Sequence, residues 1–174
     1  MNIKFALADI STLAARYLSN SSADEMKREA RIEMVIAHEV FLRGWYAKAE
    51  FEEVCFWKSP RSRPRVQKNG DDYIKSVTQI ALSTGDERLR IEVLTLLDGV
   101  SWPTASVLLH FGYRNLYPIL DFRALWSLGV EKPPVYDFDF WREYTSTCRD
   151  LAGRAGVTMR MLDRALWQFS KQNG

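Results

Sequence analysis

The chain is poor in metal-binding side chains, with two cysteines and two histidines among 174 residues. Cys55 and Cys148 lie far apart, in no Cys-x-x-Cys spacing, and His38 and His110 make no ligand pair. A zinc or iron–sulfur site is therefore not expected, and both thiols should be reduced and buried. No apolar run approaches the roughly 20 residues that cross a bilayer. Asp9 and Arg16 interrupt the apolar N-terminal stretch, which argues against a signal peptide. An intracellular, cytoplasmic protein with no membrane partner is expected. Charge of one sign is also missing in bulk, since the formal net charge is only +2. Any surface for a polyanion must then be a local patch.

What the chain does have is apolar residues, 47% of the total, enough to build a core. They recur at helical spacing. Residues 3–18 place Phe5, Leu7, Ile10, Leu13, Ala14, Tyr17 and Leu18 on one face. Ser22 to Glu25 reads as a capping box that opens a helix to about residue 43, with Met26, Ile32, Val35, Ile36, Val40 and Phe41 on its apolar side. Residues 45–57 continue with helical character. Residues 58–70 hold two prolines, a terminal Asn-Gly and no acid, which predicts a loop. Helices follow over about 71–82, from a second capping box at Thr84 to about 97, and over 104–111, 122–128, 138–152 and 159–171, with a turn at 131–134. No strand signal competes and no linker divides the chain. The expectation is a single all-α domain, residues 1–174, compact and built from eight or nine helices.

The most informative segment runs from Leu96 to Ala105. Gly99 permits a backbone turn that a Cβ resists, Val100 can point inward, and Pro103 suits the first turn of the next helix. Free amides near the start of that helix, those of Ser101, Trp102, Thr104 and Ala105, can face a phosphate. Such a contact reads the backbone of a nucleic acid, not its bases. An ordinary helix–turn–helix connection with no ligand accounts for these ten residues equally well.

The next stretch favours the phosphate-facing turn. Tyr117-Pro-Ile-Leu-Asp121-Phe-Arg-Ala-Leu-Trp126-Ser-Leu-Gly129 follows the turn. Together the two segments, about residues 87–129, resemble the helix-hairpin-helix DNA glycosylase superfamily, which includes endonuclease III-like and alkyl-base enzymes. Its members carry a Leu-Pro-Gly-Val-Gly-x-Lys-Thr-Ala hairpin, then Pro-Val-Asp, then a helix ending in Leu-Gly. Ser101 stands here for the second hairpin glycine, one additional apolar residue precedes Asp121, and Pro103 occupies the lysine position.

The resemblance implies a helix-hairpin-helix fold element, double-stranded DNA as partner and Asp121 as the catalytic carboxylate. A carboxylate beside a breaking N-glycosidic bond stabilises the positive charge on the sugar and orients water. The plainer role of Asp121 is as cap of the helix that follows, and the two are compatible. Proline at 103 cannot form a Schiff base, so an enzyme of this kind would be monofunctional and leave an abasic site. No iron–sulfur cluster is implied; a monovalent cation bound at the hairpin would fit. Gly99, Val100, Ser101, Trp102, Thr104 and Ala105 are the expected hairpin contacts. Lys58, Arg61, Arg63 and Arg65 are the expected phosphate contacts of the basic segment, which is also placed to supply a wedge for a flipped base. Trp57, Tyr113 and Tyr117, with Arg114, are candidates to line a base pocket, and Trp102 is a candidate for groove contact or stacking. Trp126 and Trp167 are expected in the core, and His110 on a helix face. Two readings compete with the enzyme: a non-catalytic DNA-binding module in a repair or defence complex, and a helical interaction protein without nucleic acid.

Overall fold

The structure, a computed structural model, describes residues 1–113, 117–130 and 135–174. Among these residues every regular element is helical, which is the expected all-α class. In chain order the α-helices are α1 (Ile10–Ser19), α2 (Ala23–Arg31), α3 (Ala37–Arg43), α4 (Lys48–Lys58), α5 (Arg63–Val66) and α6 (Asp71–Ser83). Then come α7 (Glu87–Glu92), α8 (Trp102–Gly112), α9 (Phe122–Ser127), α10 (Phe138–Ala155) and α11 (Met159–Asn173). Backbone contacts gather them into two compact units, Met1–Met26 with Asn115–Gly174, and Lys27–Arg114. The boundary falls inside α2, where the sequence carries no linker.

In the first unit α11 is the central element. Its Leu162, Ala165 and Leu166 are buried, and α1 and α9 pack against it. The Ser127 hydroxyl donates to the Leu166 carbonyl at 2.6 Å and ties α9 to α11. Asp137 and Thr158 cap α10 and α11 by accepting the amides of Phe140 and Met161, so each helix starts with one orphan donor satisfied. The predicted helix over 3–18 begins late. Residues 2 and 4 instead donate their amides to the Leu128 and Ser127 carbonyls, both at 2.9 Å. The last carbonyls of α9 lack intrahelical partners, and the chain start supplies them.

In the second unit α8 is buried from Thr104 through Gly112, with α3, α4, α6 and α7 packed around it. Its apolar, nearly uniform sequence suits a helix covered on all sides. Tyr46 is enclosed beside it and donates its hydroxyl to the Leu108 carbonyl at 2.8 Å.

Several expectations are corrected here. The Ser22 box forms as predicted, with the Ser22 amide on Glu25 at 2.8 Å and the Glu25 amide on the Ser22 hydroxyl at 3.2 Å. The helix it opens contains a π turn at Ile32–Ile36. The wider turn shifts the register, so Ile32, Ile36 and Val40 are buried while Met26, Val35 and Phe41 stand exposed. The second capping box is not used. Asp86 caps α7 by accepting the Leu89 amide at 2.7 Å, and the Thr84 hydroxyl accepts the Asp86 amide just outside the helix. The predicted loop 58–70 is mostly helical: α4 runs to Lys58, Pro60–Ser62 forms a 3-10 turn, and α5 follows. Pro60 and Pro64 each sit in a first helical turn, where a missing N–H costs nothing. The expected turn at 131–134 and the pocket candidate Arg114 lie outside the described residues.

Candidate nucleic-acid interface and carboxylate site

The turn between the 3-10 segment Val93–Leu96 and α8 has the shape the sequence calls for. Gly99 adopts φ +79°, the left-handed region that only glycine enters without strain. The Val100 amide closes the turn on the Leu97 carbonyl at 3.0 Å, and the Val100 side chain is buried. Ser101 is extended at the N-cap of α8, and its side chain makes no capping hydrogen bond. Among the described residues, the amides of Ser101, Trp102 and Thr104 have no hydrogen-bond acceptor. Ala105 is a correction: its amide donates to the Ser101 carbonyl at 2.8 Å and is the first bond of the helix. Three amides rather than four therefore remain at this helix start.

What holds the turn is the basic segment itself. Asn69 is buried, and its side chain grips Asp98 from both sides. The Asp98 amide donates to Oδ1 at 2.8 Å, and Nδ2 donates to the Asp98 carbonyl at 2.9 Å and to the Val66 carbonyl at 2.8 Å. Gly99 lies directly on this segment. A Cβ added there would stand 2.9 Å from the Val66 amide nitrogen and 3.1 Å from the Arg65 Cβ. The Gly99 turn and the basic segment are thus brought together within one unit. Arg61, Arg63 and Arg65 are exposed, and none has a carboxylate partner among the described residues. The Arg63 guanidinium lies 4.3 Å over the Phe56 ring. Lys58 is half-buried at the end of α4.

The aromatic candidates divide. Trp57 is half-buried, edge-on to Phe111 with ring centres 5.7 Å apart, and Trp102 is half-exposed in the first turn of α8. Tyr113 is engaged on both sides, donating to the Leu82 carbonyl at 2.6 Å with Arg90 4.4 Å over its ring. Tyr117 is buried, stacked on Trp141 at 5.7 Å with Arg149 over its ring. His110 lies on α8 and is fully buried against Phe111. Trp126 and Trp167 are half-exposed and lie under cations instead of filling the core.

Asp121 belongs to the first unit and is half-exposed. It is the N-cap of α9, and its Oδ1 accepts the Arg123 amide at 2.9 Å. The approach to it is fixed by Tyr144, whose buried hydroxyl donates to the Ile119 carbonyl at 2.8 Å. Burial pushes the Tyr136 phenol above its ordinary range, and the Asp121 charge adds to that shift. Tyr144 is raised well above by burial first, with the nearby acids, Asp121 among them, adding to it. Tyr144 spends its single O–H on the Ile119 carbonyl, so it positions the chain before Asp121 and does not donate to the carboxylate.

Sequence reasoning missed Asn69, Tyr136 and Tyr144. Asn69 was hidden because Asn-Gly reads as a turn; its fold-holding contact is 29 residues away. Among the described residues no group of three or more His, Cys, Asp or Glu side chains could hold a metal ion. Nor is any helix there long and apolar enough to cross a membrane. Comparison with family models, with curated proteins and with solved structures finds no match to this chain.

Proposed function

We propose that this protein is a monofunctional DNA glycosylase that grips duplex DNA through a helix-hairpin-helix element at 97–105 and hydrolyses a base–sugar bond with Asp121. The observation that carries the DNA-binding half is the union of the Gly99 turn with the Arg61–Arg65 segment through Asn69. Unpaired amides at a helix start and several unpaired guanidiniums on one rigid support form a receptor for consecutive phosphates. Preorganisation matters because binding then does not have to order the loop.

The catalytic half rests on Asp121 and its resemblance to the family's acid. Its cap bond to the Arg123 amide holds the carboxylate, and the Tyr144 hydroxyl fixes the chain before it through the Ile119 carbonyl. The carboxylate would stabilise the developing oxocarbenium ion and take a proton from the attacking water. Pro103 leaves no amine at the position where bifunctional relatives form a Schiff base, so the strand would remain intact. The cap bond also favours a second reading, a non-catalytic DNA-binding module, because capping alone gives Asp121 a sufficient structural role.

Mass-spectrometric detection of free bases separates the two. DNAs carrying deaminated, alkylated, oxidised and phage-type modified bases would be incubated with wild type and with Asp121→Asn, which keeps a capping oxygen and removes the charge. Release by wild type, reduced about 100-fold or more in the variant and leaving unbroken abasic strands, is the expected result. No release from any substrate, with salt-sensitive duplex binding intact, would favour the binding module.

A further inference from the structure

The first unit carries a second basic surface, centred on Trp167, a residue expected in the core. On α11, Arg164, Trp167 and Lys171 recur at i, i+3 and i+7 and so share a face. The Lys171 ammonium lies 4.9 Å from the Trp167 ring centre. From α9, Arg123 reaches the same ring at 5.4 Å and the exposed Phe122 ring at 5.1 Å. From α1, Tyr17 packs edge-on against Trp167 with ring centres 5.3 Å apart, and Arg164 lies 5.9 Å over Tyr17. Arg123 and Lys171 have no carboxylate partner among the described residues. The nearby acid Asp163 is already paired with Arg160.

A core needs none of this. Arg123 and Lys171, from two helices, converge on the half-exposed Trp167 ring, where mutual repulsion would disfavour them unless an anion is shared. Stacking uses the flat face of a guanidinium and leaves its N–H edge to donate. The rings thus act as a scaffold that spaces the cations, and an extended phosphodiester strand is the anion that matches such a row.

We infer that Arg123 and Lys171, spaced by Trp167, form a second DNA-phosphate contact on the unit that carries Asp121. The inference rests on the DNA-binding reading above and extends it to a surface that the family resemblance does not assign. Arg123 follows the carboxylate by two residues, so a strand held here would lie along the helix that Asp121 caps.

The test is the salt dependence of duplex binding, measured by fluorescence anisotropy on one modified-base duplex. The variants are Arg123→Gln/Lys171→Gln and, as control, Arg142→Gln/Arg154→Gln, which removes two exposed cations of α10 paired within their own helix. Two lost phosphate contacts should reduce the slope of log affinity against log salt by about 1.8, at about 0.9 per contact. The control should leave the slope unchanged, and the melting temperatures of all three proteins should agree. An unchanged slope in Arg123→Gln/Lys171→Gln overturns this contact while leaving the hairpin reading intact. An equal drop in the control overturns it too, by showing a general charge effect. Wild type without salt-sensitive binding would sink both the contact and the DNA reading.

Discussion

Asn69 does more for the candidate interface than any basic residue, although it carries no charge. Its side-chain amide makes three hydrogen bonds, to the Asp98 amide, the Asp98 carbonyl and the Val66 carbonyl, and each buried bond contributes about 1 kcal/mol net. Asn69→Ala leaves the Asp98 amide and carbonyl without these partners, while the Val66 carbonyl keeps the residue-69 amide at 3.3 Å, and is expected to cost about 2–4 kcal/mol of stability. Gly99→Ala attacks the same junction from the other side, through a positive φ and a clash with Val66 backbone that no rotamer relieves; about 1–3 kcal/mol is expected. Denaturant melts of the two variants and their combination provide the check. Because both loosen one contact, their effects should fall short of additive. Full additivity would show that Asn69 and Gly99 act separately.

At the scale of the element, the start of α7 shows how a cap is chosen. Thr84-Gly-Asp-Glu87 matches a capping box, yet Asp86, two residues later, takes the N-cap and its carboxylate accepts the Leu89 amide. An aspartate at this position gains from the helix dipole as well as from the hydrogen bond. Asp86→Ala should therefore lower stability by about 1 kcal/mol. Thr84→Val, which loses only a bond to an amide outside the helix, should cost less than half as much. Thermal unfolding of both decides the assignment, and the reverse order would restore the capping box. The basic segment makes the same point. Its prolines read as loop signals, but each falls in the first turn of a short helix, and the second of these sets Arg65 and Val66 against Gly99.

For the molecule as a whole, the buried acids that hold their protons predict its alkaline limit. Cys55 and Cys148 are enclosed, and burial raises both thiols far above their ordinary 9.0. Tyr46 and Tyr144 are likewise raised well above 10.0. Each group is neutral when protonated, so the unfolded chain loses the proton first. The native state binds more protons above that point, and stability must fall as pH rises. Stability should be independent of these four groups below about pH 8. It should then decline above about pH 9 by up to about 1.4 kcal/mol per pH unit for each group in its window. Urea titrations at pH 7, 9 and 10.5 would reveal the decline. A flat profile would mean that the thiols and phenols ionise freely in the folded protein. The same burial makes both cysteines poor nucleophiles, in keeping with the reduced, buried thiols expected of so sparse a pair.

The amino-acid sequence alone determined the helical class, the main helix positions, the turn at Gly99 and the cap at Asp121. These depend on apolar spacing, on glycine's tolerance of positive φ and on short-range side-chain bonds, all of which act within a few residues. Tertiary structure decided the rest. It joined Asn69 to Asp98, tied Tyr144 to the Ile119 carbonyl just before Asp121 and folded the basic segment into helices. It also rotated Val35 and Phe41 outward through a π turn and spread cations over Trp126 and Trp167. Each of these depends on partners brought close only by packing, and neither the period of a helix nor the composition of a loop encodes which distant side chain will arrive.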